Sequence, residues 1–356
     1  MKRRAFVFSA IASCVGSTQY VRAQTAQDST SHGSSFPAPP TPAPAAAGNA
    51  IFNLNCGNDL PSDHPLNVRS LEAFARINAA TNGRVQIKAF PASLLGSDAA
   101  MLAQLRSGAL EMLALPGASI TLSPLASIEN LAFAFADRST AFAAMDGNLG
   151  RIIRADIAAK GIVALDKIWE DGFRNITTAT GPVRSAADVT GLKIRVTPTP
   201  ILVDTFRSLG ASPTPIAINE VYTALQTRIV DAQENLLAVV EQQKLYEVQR
   251  YVALSEHVWS GYWMLLNQDV WARLGASIQA IVTREMSAAA LAARNDVANL
   301  NAGIQADLSR RGLAVNAVDK ENFRQKLSGA QYYTRWNATF GSTAWSALEE
   351  YTGPLA

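Results

Sequence analysis

Apolar and polar positions alternate through "RVQIKAF", where Val85, Ile87 and Ala89 interleave with Arg84, Gln86 and Lys88. A period of two predicts a half-buried strand. Upstream, Leu71, Phe74, Ala75 and Ile77 recur at helical spacing, which predicts a helix over about 66–82 stopped by "TNGR". "IFNLNCG" predicts a strand ahead of that helix, joined to it by a loop containing "PSDHP". A helix over about 98–107 and a strand at "LEMLAL" complete a β-α-β-α-β order. That rhythm belongs to a parallel sheet with helices on its faces.

The rhythm returns downstream. "GIVALDKIW" and "ADVTGLKIRV" predict strands, and "PILVDTFRSLG" a helix closed by Gly210. "NEVYTALQT" predicts a short helix with Asn219 as its N-cap. "RIVDAQE" and "GYWMLLN" predict two more strands. A long helix then covers about 277–311, with Val297, Leu300, Ile304 and Leu308 on one face. At 1.5 Å per residue it extends about 50 Å, which exceeds one small domain, so it is expected to brace two. The length of 356 residues agrees with two domains. Open α/β sheets bind ligands at the carboxyl ends of their strands, so two such domains facing one another would make a cleft there.

The first 23 residues, "MKRRAFVFSAIASCVGSTQYVRA", carry a positive start, a short apolar run over 5–15 and a small-residue cleavage site ending at Ala23. The apolar run is too short to span a bilayer, so the segment reads as a signal peptide. Its removal deletes Lys2, Arg3, Arg4 and Arg22 but no acid, taking the formal net charge from +2 to −2. The basic footprint expected of a nucleic-acid binder is then gone. "RRAFV" also resembles a twin-arginine signal and "IASC" a lipoprotein box at Cys14. Every version exports the chain to the periplasm. Residues 24–49 are rich in Pro, Ala and Ser and read as a disordered tether. Without Cys14, Cys56 is the one remaining thiol, so no internal disulfide can form and the fold rests on its core.

Catalytic signatures are missing: no G-x-S-x-G elbow, P-loop, dinucleotide fingerprint or H-E-x-x-H occurs. His32, His64 and His257 show no metal-ligand spacing, so neither a metal nor a cofactor is expected. Polar residues gather instead at the ends of apolar strands. "LDKIWEDGFRNITT" sets Trp169 and Arg174 past one strand, "GLKIRV" places Arg195 in another, and "VDAQENL" puts Asn235 past a third. Arginine offers a permanently charged planar fork that holds a carboxylate bidentately. Each residue also has a plainer role. Either Arg could pair with a structural carboxylate such as Glu170 or Glu220, Trp169 could belong to the core, and Asn235 could form a turn.

"TNGRVQIKAFPASLLGSDAAMLAQLRSGALEM", "GLKIRV", "NEVYTALQTRIVDAQEN", "KLYEVQRYV" and "HVWSGYWMLLN" together resemble the solute-binding proteins of tripartite ATP-independent periplasmic (TRAP) transporters, the DctP family. The likeness runs from about Ile51 into the long helix and fades over the last forty residues or so. It implies a two-domain α/β clamshell that captures an organic acid, performs no catalysis, and delivers its cargo to small and large permease subunits. Domain I would comprise 50–171 plus about 261–300, and domain II 172–260 plus about 301–356. The long helix is also a candidate homodimer surface.

By the same resemblance, Arg195 clamps the carboxylate, Arg174 and Asn235 assist, Asn55 contributes from the first strand, and Trp169 lines the cleft. Departures from the family pattern are Leu236 where the family has Pro, Ile218 for a frequent Phe, Asn219 for Ser, Gly261 for Pro, an added Trp263, and Pro116 where sugar-acid binders carry an acid. With Trp259 and Tyr262 completing the candidate lining, these changes favour a less polar acid. An exported hydrolase or lyase, or a ligand-sensing domain, are the rival readings.

Overall fold

The computed structural model describes residues 51–355, so the signal peptide and the whole tether lie outside the described residues. The first strands follow the alternation in the sequence: β1 (Phe52–Gly57), α1 (Pro65–Ala80), β2 (Val85–Phe90), α2 (Asp98–Ser107) and β3 (Met112–Pro116). His64 caps α1, its Nδ1 accepting from Leu66 N at 3.2 Å, and Pro65 opens the first turn, where a missing N–H costs nothing. Ser97 caps α2, and Gly108 ends it at φ 76°, a left-handed conformation that favours glycine. β1 pairs in parallel with β2 and β3.

Next come α3 (Arg138–Asp146), α4 (Asn148–Ala158), β4 (Ile162–Ala164) and β5 (Trp169–Thr178). The single strand predicted at "GIVALDKIW" is therefore two, broken at 165–168. β6 (Lys193–Val196), α5 (Pro200–Ser208), β7 (Ser212–Pro215), α6 (Val221–Gln226), β8 (Ala232–Leu236) and α7 (Leu237–Gln242) follow. Asn219 is not the cap of α6; it lies in a short 3-10 turn, Ile218–Glu220, that runs directly into the helix. β6 pairs in parallel with β7 and β8, a second parallel unit like the first.

Two long strands join these units. β9 (Tyr251–Asn267) runs 17 residues, far beyond the predicted "GYWMLLN". Its carboxyl half pairs with β3 and β4, and its amino half with β5 and β10 (Ala314–Ala317). β5 in turn pairs with β8. The sheet order is β2-β1-β3-β9-β5-β8-β6-β7, one mixed sheet whose two parallel ends carry separate helical layers.

α8 (Gln268–Arg310) is interrupted at Gly275 (φ 75°, ψ 157°), so its uninterrupted part begins close to the predicted start. Ile278, Val282 and Met286 join the core over β1–β3 and α1, whereas Ile304 and Leu308 join the core formed by α6, α7 and the start of β9. Each such side chain contributes about 1.5–3 kcal/mol on burial. α8 thus braces both ends of the sheet. α9 (Lys320–Gly329), α10 (Tyr332–Phe340) and α11 (Ser342–Thr352) close the chain, and their Phe323, Tyr332 and Trp345 enter the core on the opposite face. Among the described residues no helix is long and apolar enough to cross a membrane.

Candidate functional site

A cavity opens where the carboxyl ends of β1, β3, β6 and β8 converge on β5 and β9. It encloses about 1000 Å³ of space free of protein atoms, its mouth included. One wall carries Asp59, following β1, and Asp98, in the first turn of α2. The other carries Arg195 of β6, Asn235 of β8 and Ile218. β5 and β9 contribute Asp171, Arg174, Ser260 and Tyr262 between them.

Arg195 is almost wholly buried, at 1% exposure, while its neighbours Ile194 and Val196 enter the core. Its Nε donates to Ile216 O at 2.8 Å, and its Nη1 has no protein acceptor. Burial pulls the guanidinium down to about 10, although Glu234, Asp98 and Asp59 oppose the fall. No carboxylate bonds Arg195, unlike its neighbour. Arg174 donates from Nε to Glu234 Oε2 at 2.5 Å and from Nη2 to Glu234 Oε1 at 3.0 Å and Thr197 Oγ1 at 3.1 Å. The structural carboxylate here is Glu234 rather than the Glu170 or Glu220 considered from the sequence, and of the two arginines it bonds Arg174 alone. Glu170 instead pairs with Arg138.

Burial would raise the Glu234 carboxyl, but the Arg174 charge and the nearby His257 outweigh it and hold the group at about 2. His257 Nε2 lies 3.6 Å from Glu234 Oε2, and burial keeps the imidazole below its ordinary range.

The register of β5 explains how Asp171 and Arg174 both reach the cavity. Residues three apart on a regular strand face opposite ways. Glu170 pairs with Gly261 and Gly172 with Ser260, so Asp171 is an extra residue that restores a common side. Gly172 at φ 118° permits this bulge.

The three aspartates were not anticipated as site residues. Burial, and in two cases the neighbouring Asp59, pushes Asp98 and Asp171 up to about 8; burial also raises Asp59. Ser119 Oγ donates to Asp98 Oδ2 at 2.8 Å, Ser260 hydrogen-bonds the Asp171 carboxyl, and Tyr262 OH donates to Asp59 Oδ1 at 2.8 Å. Oδ1 of Asp98 and Oδ1 of Asp171 are buried with no protein donor. Pro116 lines the cavity, and three acids reach it from other elements.

Of the residues singled out in the sequence, Arg195, Arg174, Asn235, Ile218 and Tyr262 come together around this cavity. Three do not. Trp169 packs into the core with Leu54 and Met264, beneath the Tyr262 ring opposite it, and does not reach the cavity. Trp259 lies in the core on the other face, edge-on to Phe135 and Phe142. Asn55 turns to Glu111, whose Oε2 accepts from its N at 2.8 Å and Nδ2 at 3.1 Å. Among the described residues no cluster of acids, histidines and cysteines is suited to a metal ion.

The family model described as bacterial extracellular solute-binding protein, family 7 (DctP) matches residues 57–335. An uncharacterized protein, y4mM, of Sinorhizobium fredii is 36% identical over 79% of this chain and 51% of its own length. The 2,3-diketo-L-gulonate-binding periplasmic protein YiaO of Escherichia coli is 36% identical over 53% of this chain and 57% of its own. The matches thus span little more than half the length of these two relatives. A TRAP periplasmic solute-binding protein of Polaromonas, solved with D-erythronate bound, superposes with a TM-score of 0.81 at 28% identity, covering 85% of this chain and 100% of that one.

Proposed function

The chain belongs to the DctP family of bacterial extracellular solute-binding proteins, family 7, and from that premise we propose that it is the periplasmic receptor of a TRAP transporter, capturing an organic acid and handing it to the membrane permease. It acts by binding and release rather than by catalysis. A signal peptide over residues 1–23 delivers it to the periplasm.

The observation that carries this reading is Arg195 Nη1, a charged donor buried in a ligand-sized cavity with no protein acceptor. A buried donor left unsatisfied costs about 1–3 kcal/mol, and a ligand carboxylate relieves that cost. Arg174, fixed in direction by Glu234, and Asn235 supply further donors to the same anion. Closure around the ligand excludes water and strengthens each contact. The acids bound by relatives, D-erythronate in the Polaromonas protein and 2,3-diketo-L-gulonate in YiaO, fit the same chemistry.

The test is a thermal-shift screen of organic acids on the purified protein. A ligand present at 100 times its Kd adds about 2.7 kcal/mol, which raises Tm by several degrees. If no acid in a broad panel moves Tm, the receptor reading is wrong.

A further inference from the structure

The cavity is charged unequally along its length. Arg174 is already compensated by Glu234, which leaves Arg195 as its one uncompensated cation among the described residues, against Asp59, Asp98 and Asp171. Asp59 and Asp98 sit on the wall away from Arg195 and Asn235, and Asp171 on the bulge between the walls. Two of these carboxyls keep a buried oxygen that no protein group satisfies. A ligand anchored by its carboxylate on Arg195 therefore presents its remainder to a row of hydrogen-bond acceptors. Were that remainder another anion, it would meet no second uncompensated cation there.

Resting on the receptor reading above, we propose that the acid taken by this cavity also bears a protonated amine, held by Asp98 Oδ1 and Asp171 Oδ1 while its carboxylate sits on Arg195. An ammonium donates up to three hydrogen bonds and brings the positive charge that these carboxyls lack, whereas a hydroxyl donates one and brings none. Among the described residues no cluster is suited to a metal ion.

The titration of these groups agrees with the geometry. Asp98 faces Asp59 and Arg195; Asp171 faces Arg174, Asp59 and Glu170; burial dominates both, at about 8. In the free protein near pH 7 both are largely protonated. Seating an ammonium ionises them, so binding releases about one proton per carboxyl engaged, and affinity rises between pH 6 and pH 8.

Calorimetry on the purified protein with matched pairs tests this: 4-aminobutanoate against 4-hydroxybutanoate, 5-aminopentanoate against 5-hydroxypentanoate, and 6-amino-6-deoxygluconate against gluconate. Each is titrated in phosphate and in Tris, whose different ionisation enthalpies report proton release. The amino member of at least one pair is expected to bind about tenfold or more tightly than its partner, equivalent to about 1.4 kcal/mol, with proton release. Asp98→Asn and Asp171→Asn should each abolish that preference. Hydroxy acids that bind as well as, or better than, their amino partners would overturn the amine assignment while leaving the receptor standing. So would a preference that survives both substitutions, or wild-type binding without proton release. If no member of any pair binds, nor any acid in the broader screen, the receptor reading fails as well.

Discussion

Replacing Arg195 with lysine keeps the charge and removes the fork. The guanidinium spans two tasks: Nε holds Ile216 O at 2.8 Å, and Nη1 points at nothing in the protein. A single ammonium cannot serve both at those separations. The Lys variant loses about one charge-assisted hydrogen bond to the ligand, worth about 1.5–3 kcal/mol, so Kd rises roughly ten- to hundredfold. The ligand-free protein loses a neutral acceptor contact of about 0.5–1.5 kcal/mol but also sheds an unsatisfied buried donor. Those terms oppose one another, and unliganded stability should change by less than about 1 kcal/mol. A second signature follows from burial, which already draws Arg195 down to about 10. Acting on a lysine, the same burial moves the group toward neutrality, so the variant's affinity should fall further as pH rises from 7 to 9 while the wild type's does not. Calorimetry with the acid giving the largest thermal shift, alongside urea unfolding of the free variant, reads both effects. An unchanged Kd, or a large loss of unliganded stability, would mean that Arg195 is a structural residue.

Glu234→Gln removes the partner of a buried cation and should cost about 3 kcal/mol or more in urea unfolding. Because Glu234 is held at about 2, its contribution is complete above the ordinary carboxyl range near 4.5 and disappears as pH falls toward 2, which an acid-unfolding series will follow. Asp98 and Asp171 act in the opposite sense. With carboxyls raised to about 8, the free protein binds more protons than the unfolded chain, so its stability should fall as pH rises from 4 to 8, less steeply in the two Asn variants. Gly261→Ala sets a methyl 2.7 Å from Ile168 Cδ1 and 2.8 Å from Trp259 Cη2, and the overpacking should cost about 1–3 kcal/mol in urea unfolding. Trp259→Phe should lower Tm without changing the Kd of any acid, since Trp259 packs behind the sheet.

The parallel ends of the sheet were legible because β2 exposes one face and alternates, and because α2 is bounded by Ser97 and Gly108. α8 was legible by its length. Of β9 only 261–267 was legible; the residues before it are mostly buried too, with no regular alternation to show where the strand begins. The C-terminal helices escaped for a different reason: they bury aromatics spaced among exposed polar residues, with no strand between them to mark the rhythm.

At the site, Arg195 could be found as a lone charge flanked by Ile194 and Val196. The aspartates could not. Asp59 follows Gly57-Asn58 like a turn residue, and Asp98 stands in the first turn of a helix, where an acid is favoured by the helix dipole alone. Asp171 offered a signal that went unused: two acids followed by glycine inside a strand suggest a bulge. Trp169 and Asn55 were misplaced because the sequence gives a residue's position on a strand but not which face of that strand meets the cavity.

The most direct measurement is a crystal structure of the protein with the acid that stabilises it most. The account predicts that a carboxylate oxygen of the ligand lies within about 3 Å of Arg195 Nη1, between β6 and the bulge of β5. A ligand whose carboxylate sits elsewhere, with Nη1 bonded only to water, would contradict it.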